Sequence, residues 1–413
     1  MLLLLPTATY RAADFLTAAR TLGAEVVVAS DRRLVSIGDT QLTLDLRRPE
    51  VAAEAIAAVA AERPLDAVVA VDDQGVQVAA LAAGRLGLSG NPLEAAAATR
   101  DKAAMRRALA AAGVPQPEHR TVGPSDDLAA VAAEVGLPCV VKPLSLSASR
   151  GVIRADDPRA AAAAAARVRA ILAEAGEDPE GPLLIERYVP GAEVAVEGLL
   201  RASALEPLAV FDKPDALEGP YFEETIFTAP SRLPGEIVAA VTRTTADACA
   251  ALGLREGPVH AELRVHGGRV WMLELAARSI GGLCSRSLRF GVGVSLEEVI
   301  LRHALGLPLD DLRREAAASG VMMLPIPRAG VLREVRGQDD ARAVPGIAGL
   351  EISIGRGRPV RPLPEGDRYL GFLFARGETP AQVEHALRAA HARLEIDIEP
   401  AAGERSAGAA AQG

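Results

Sequence analysis

Along the first hundred residues, short apolar runs alternate with stretches of helical periodicity. The run Leu2–Leu5, closed by Pro6, reads as a buried strand. It is followed by a helix over 10–23, a strand over 24–30 next to Asp31, a helix over 50–64 and a second buried strand over 66–73. Uniformly apolar strands separated by helices imply a parallel sheet covered by helices. Such sheets bind ligands in the loops at the carboxyl ends of their strands, which singles out Val71–Gly75.

The rhythm changes near residue 100. A helix carrying Asp101 and Lys102 ends at Gly113, and strand-rich sequence follows: CVVKP from Cys139, PLLIERYVPGAEVAVEGLL, and two apolar runs joined by His266, Gly267 and Gly268. One long Ala-rich helix interrupts this region, and VSLEEVILRHALGLPL is an amphipathic helix that closes it. Beyond residue 318 further strands precede a helix opened by Thr379-Pro380, with proline at the first helical position. The expected fold class is α/β followed by α+β. The expected domains are 1–100, 101–317 and 318–400, with a frayed tail over 401–413.

Composition narrows the function classes. The chain has 413 residues, 49% hydrophobic and 3% aromatic, with a net charge of −9. An acidic chain without a basic stripe argues against nucleic acid as a partner. Cys139, Cys249 and Cys284 are scattered, without metal-ligand spacing, which fits a reducing cytosol and no disulfide. The opening MLLLLP is too short for a signal segment, and no apolar stretch is long enough to span a membrane. A Walker A sequence is absent, as is G-x-G-x-x-G after the first strand, so a P-loop or dinucleotide enzyme is not expected.

The candidate chemistry lies in charges set among apolar residues. Glu262 and Glu274, twelve residues apart across the His-Gly-Gly turn, are expected to face each other on neighbouring strands. Carboxylates there need a cation, and Mg²⁺ bridging phosphates would supply one; solvated acids on a half-exposed hairpin are the plainer alternative. Lys142 interrupts an apolar strand and also needs a partner, for which phosphate oxygens are suited. Arg278 lies four residues past Glu274, within reach of a transferring phosphoryl group.

The order of these elements, a helix lysine, a strand lysine before a small-residue loop, an acid-rich strand and an acidic hairpin, resembles the ATP-grasp superfamily. Within it the chain is most similar to the carboxylate–amine ligase branch of L-amino-acid (dipeptide) ligases. The resemblance implies an ATP-grasp fold with an N-terminal parallel-sheet domain and a small C-terminal α+β domain. It implies ATP and Mg²⁺ as cofactors, with Mn²⁺ as the alternative ion, and an amide bond made through an acyl phosphate.

By the same resemblance, Lys102 and Lys142 reach phosphates, and the loop holding Ser145, Ser147, Ser149 and Gly151 closes over them. Glu186 and the backbone of Val189 read adenine, and Glu193 takes the ribose hydroxyls. Glu262 and Glu274 become the metal ligands, with Ala276 where many relatives place an asparagine that serves a second ion. Arg278 stabilises the transferred phosphoryl group and contacts substrate. The backbone of Gly281 and Gly282 approaches a substrate carboxylate or oxyanion. Glu224 holds a substrate ammonium, with Phe227 where relatives often have histidine. Glu197 and His260 are each open between a substrate contact and an internal role.

The implied partners are a small carboxylate and a small amine, with a homodimer as the candidate assembly. Two other readings stand beside the ligase. A carboxylase-type enzyme, activating bicarbonate for transfer to biotin or a purine ribonucleotide, shares the nucleotide half; biotin carboxylases continue after their arginine with a QVEH-like motif, where this chain reads SIGGLCSRS. A non-catalytic ATP-binding protein is the other.

Overall fold

The computed structural model describes residues 1–7, 9–33 and 41–400, so the expected tail over 401–413 lies outside the described residues. The chain forms two compact units, each drawn from three segments: Met1–Gln116, Glu193–Asp212 and Ser231–Ala316 in the first, Pro117–Ala192, Lys213–Pro230 and Ala317–Gly413 in the second.

The first unit contains the expected parallel sheet. Leu2–Leu4 lies at its centre between Val27–Ser30 and Val68–Ala70, with Gln41–Thr43 outside Val27–Ser30. Leu2, Leu4, Val27 and Ala29 bury against Ile56, Val78 and Ala82 of the helices Pro49–Glu62 and Val76–Leu86. Every side chain of the first two strands is buried, the reason those strands carry no polar alternation.

The same unit holds four strands in the order Arg269–Ala276, Gly257–His266, Ala192–Arg201 and Ala204–Asp212, antiparallel within the first pair and within the last. One face is apolar: Val194, Val196, Val259, Ala261, Leu263, Val270, Met272 and Leu275 share a core with residues of the helices Lys102–Ala111 and Gly235–Leu252. By alternation, Glu193 and Glu197 on one strand, and His260, Glu262 and Arg264 on the next, lie on the other face.

Glu274 reaches that face by a different route. Simple alternation puts it on the side of Met272, which is fully buried in the core. The register instead pairs Glu262 with Glu274 and Leu263 with Met272, leaving Leu273 unpaired as a β-bulge. One extra residue reverses the facing of everything beyond it, so Glu274 joins Glu262 while Leu275 returns to the core.

Arg106, 1% exposed, stabilises the bulge. Its Nη2 donates to the Leu273 carbonyl at 2.5 Å and its Nη1 to the Met272 carbonyl at 3.3 Å. The helix that carries Arg106 begins at Lys102 and is capped by Asp101, whose carboxylate accepts the N–H groups of Ala103 and Ala104.

In the second unit, His119–Val122, Leu183–Arg187, Cys139–Pro143 and Ile153–Ala155 form a four-stranded sheet in that order. The helices Leu128–Val135 and Pro158–Glu174 cover one face through Ala132, Val135, Ala161, Ala165, Val168 and Leu172. The unit also contains the antiparallel strands Ile226–Ala229, Ala318–Leu324, Gly371–Gly377 and Ile347–Ile352, and a small sheet of Pro359–Val360, Gly330–Arg336 and Glu395–Glu399. Helix Pro380–His391, opened by a Thr379–Gln382 capping box, packs its Val383, Ala386 and Leu387 into that core.

Among the described residues no helix is long and apolar enough to cross a membrane. All three cysteines are buried and unbridged.

The Arg106 contact yields a direct test. Arg106→Met leaves two buried carbonyls without their donor, at about 1–3 kcal/mol for each unsatisfied group. We expect amide hydrogen exchange across 257–276 to speed up by at least tenfold, and unchanged exchange would show that the bulge holds without the arginine.

Candidate active site

In the first unit the structure brings six predicted residues onto or beside one sheet face. Glu262 and Glu274 stand directly opposite each other on the hairpin, with side chains 27% and 35% exposed. Gly267 and Gly268 make the turn, both with positive φ (57° and 76°), a conformation that costs glycine little. Lys102, at the first position of its helix, places Nζ 3.2 Å from Glu274 Oε1. Glu193 accepts from Arg264 Nε at 2.9 Å, both side chains being at most 9% exposed.

Glu197 is fully buried and His260 is 7% exposed. The imidazole lies between two carboxylates, with Nδ1 3.1 Å from Glu197 and Nε2 3.7 Å from Glu262. Burial pulls the imidazole pKa down, but hydrogen bonds to the two carboxylates outweigh it and hold the pKa above its ordinary value. Burial likewise pushes the Glu197 carboxyl up, with His260 and Arg11 offsetting part of the rise. His260 is therefore neither a plain core residue nor a solvated one.

Arg278 is fixed at the far end of the hairpin. Its Nη2 donates to Asp73 at 3.0 Å and its Nη1 to the Ser279 carbonyl at 3.0 Å. Asp73 comes from the loop singled out after strand Val68–Ala70, and it also lies 3.8 Å from Arg100. Burial raises the Asp73 carboxyl, but the charges of Arg278 and Arg100 and the hydrogen bond from Arg278 prevail, bringing it to about 2. Arg278 is correspondingly held above its usual range. Gly281 and Gly282 follow after Ser279 and Ile280, Gly282 with φ of 60°.

The second unit holds the other predicted residues. Lys142 and Glu186, on neighbouring strands, are 7% and 3% exposed and pair at 2.5 Å. The lysine thus finds inside the protein a partner that the sequence suggested would be phosphate. Val189 follows that strand, just past Tyr188, whose ring packs beside Phe222.

In the serine loop, Ala148 and Ser149 both take left-handed backbone (φ 55° and 54°), a glycine-like path without glycine. Such residues cost about 1–3 kcal/mol each when held by their surroundings. Ser147 is exposed. Gly151, with φ of 73°, donates its N–H to the Pro364 carbonyl at 3.0 Å. Glu224 receives the Lys213 ammonium, and its other oxygen lies 3.4 Å from the Tyr369 hydroxyl. Lys213 also sits 4.9 Å over the buried ring of Phe227.

The ATP-grasp domain family matches residues 135–287, the ATP-grasp N-terminal domain residues 16–90, and the L-amino acid ligase C-terminal domain 2 residues 322–399. The chain carries ATP-grasp domains and an L-amino acid ligase C-terminal domain.

It is 27% identical over 307 residues to the uncharacterized protein y4rH of Sinorhizobium fredii, covering 73% of this chain and 61% of that one. It is 27% identical over 269 residues to the alanine–anticapsin ligase of Bacillus subtilis, covering 61% of this chain and 56% of that one. The chain therefore spans about three-fifths of the length of these curated relatives. Among solved structures it is similar to an L-amino acid ligase from Bacillus licheniformis, with a TM-score of 0.79 and 23% identity over 96% of this chain and 98% of that one, a likeness of fold.

Several residues of this ATP-grasp chain that hold the site together were not singled out from its sequence. Arg264, Arg106, Lys213 and Arg11 are buried cations that neutralise or orient a predicted residue. Lys213 carried a signal, since a lysine ending the apolar run LAVFDK needs a partner as Lys142 does. Arg106 and Arg11 carried none, because each lies in a predicted helix with other charged residues, where an arginine reads as part of a solvated face.

The Asp73 carboxylate links the site to acid stability. Its folded pKa of about 2 lies below the ordinary 3.8, so its contribution is complete above pH 4 and disappears as pH falls towards 2. The shift corresponds to about 2 kcal/mol. Asp73→Asn is expected to be less stable at pH 7, with a difference from the parent that shrinks in urea titrations between pH 4 and 2. A constant difference would show that the carboxylate's charge is not what stabilises.

Proposed function

We propose that this chain is an ATP-dependent carboxylate–amine ligase acting on an amino acid or another small carboxylate. The observation that supports it most is the opposed pair Glu262 and Glu274 with Lys102 beside it. The C-terminal match to an L-amino acid ligase domain and the alanine–anticapsin ligase relative favour an amino acid as one substrate. The proposed division into 1–100, 101–317 and 318–400 is compatible with matches at 16–90, 135–287 and 322–399.

The two glutamates offer only oxygen donors, partly open to solvent, a set that fits a hard divalent ion such as Mg²⁺. When bound, that ion would offset phosphate charge during phosphoryl transfer. Lys102, Lys142 and Arg278 contribute fixed positive charge for the phosphates, and the Ser147–Gly151 loop contributes hydroxyl and N–H donors. Glu186 and the Val189 backbone hold the adenine edge, and Glu193 the ribose.

The substrate carboxylate attacks the terminal phosphoryl group of ATP, giving an acyl phosphate and ADP. The amine then adds to the acyl carbon, and phosphate leaves. The Gly281 and Gly282 N–H groups stabilise the oxyanion of that addition. Glu224 takes a substrate ammonium through the oxygen on the Tyr369 side, its other oxygen being occupied by Lys213.

The reading is tested by ADP release with pairs of amino acids, with mass spectrometry of the product. We expect release that depends on both a carboxylate and an amine, and a fall of at least about 10³-fold in Glu274→Ala and Arg278→Ala with circular dichroism unchanged. Full activity in either variant contradicts the assignment, and turnover with bicarbonate alone would favour a carboxylase.

A further inference from the structure

Arg11 lies immediately before helix Ala12–Thr21, 1% exposed, with its guanidinium 5.0 Å from the Phe15 ring. Its Nη1 donates to the carbonyls of Ser279 (3.1 Å) and Ile280 (2.6 Å), and its Nη2 to Ser279 Oγ (2.5 Å). All three acceptors are neutral. Three donors converge from more than 260 positions away in sequence on one dipeptide. Burying a guanidinium among neutral acceptors is costly, so the arrangement is not a by-product of packing.

The dipeptide is gripped from its other polar side too. Glu197 Oε2 accepts the Ile280 N–H at 3.0 Å, and the Glu197 carboxyl feels the Arg11 charge. Arg11 and Glu197 thus hold the carbonyls and the N–H of one peptide segment between a cation and an anion. That segment directly joins Arg278 to Gly281 and Gly282. Ser279 is 1% exposed and Ile280 is 2% exposed, which leaves it little freedom to adjust.

We propose that Arg11 is a positioning residue for the reaction. From the N-terminal region it sets the backbone of 279–280, and so the placement of Arg278 before it and of the Gly281 and Gly282 N–H groups after it. This rests on the ligase reading and extends it, making the turn's geometry depend on a residue that touches neither substrate nor nucleotide. Loss of Arg11 misplaces Arg278 and the glycine N–H groups while leaving Lys102, Lys142, Glu186 and Glu193 as they were.

The test measures kcat and the KM for ATP in Arg11→Ala, Ser279→Ala and the double variant. A misplacement of about 1 Å at a reacting group costs on the order of 10²-fold. We expect Arg11→Ala to lower kcat about 100-fold with the KM for ATP within about threefold, and guanidinium ion at tens of millimolar to recover about tenfold of the loss. Ser279→Ala, which removes one bond and keeps the fold even if Arg11→Ala does not fold, is expected to lower kcat about 3- to 10-fold. The double variant is expected to be no worse than Arg11→Ala.

Parental kcat in Arg11→Ala or in Ser279→Ala, a loss confined to the KM for ATP, or independent effects in the double variant would each overturn the proposal. An inactive parent protein in the same assay sinks the ligase reading, and this proposal falls with it.

Discussion

One unpaired residue controls which way the acidic hairpin points its chemistry. Leu273 adds a residue to one strand, so Glu274 leaves the side of Met272 and faces Glu262. The bulge exposes two carbonyls at Leu273 and Met272, and Arg106 satisfies both from the helix whose first residue, Lys102, contacts Glu274. The position of the acid, the helix and the lysine are therefore one linked solution. Without the bulge a carboxylate would be driven into a core of Met272, Val259 and Ala261, where an uncompensated charge is very costly.

A second regularity is that the charges of the site are matched pairwise within each unit. Lys102 with Glu274, Arg264 with Glu193 and Arg278 with Asp73 lie in the first, and Lys142 with Glu186 and Lys213 with Glu224 in the second. Nearly all of these side chains are at most one-fifth exposed, so each would be expensive alone. Each cation is thereby held in one direction by its partner, which lowers the cost of ordering it.

The sequence made the larger features readable for physical reasons. Parallel strands buried on both faces leave continuous apolar runs, so Leu2–Leu4 and Val27–Ser30 stood out. The Thr379-Pro380 helix start carried its own capping signal. Glu262 and Glu274 face each other across the turn as their spacing suggests, but it is the break in alternation at Leu273 that brings them together. A bulge has no composition of its own and is invisible in a single strand. Lys142 was recognised as needing an anion, yet Glu186, forty-four residues away, appears as its partner only once the two strands pair. Arg11 and Arg106 act on backbone carbonyls, which every residue has, so no pattern in the sequence marks their targets.

The most direct measurement is a crystal structure of the protein with Mg²⁺ and a non-hydrolysable ATP analogue. The account requires an ion about 2.1 Å from carboxylate oxygens of both Glu262 and Glu274, with Leu273 still bulged between them and Met272. An ion held without either glutamate, or a hairpin in which Glu274 has turned to the Met272 side, would contradict it.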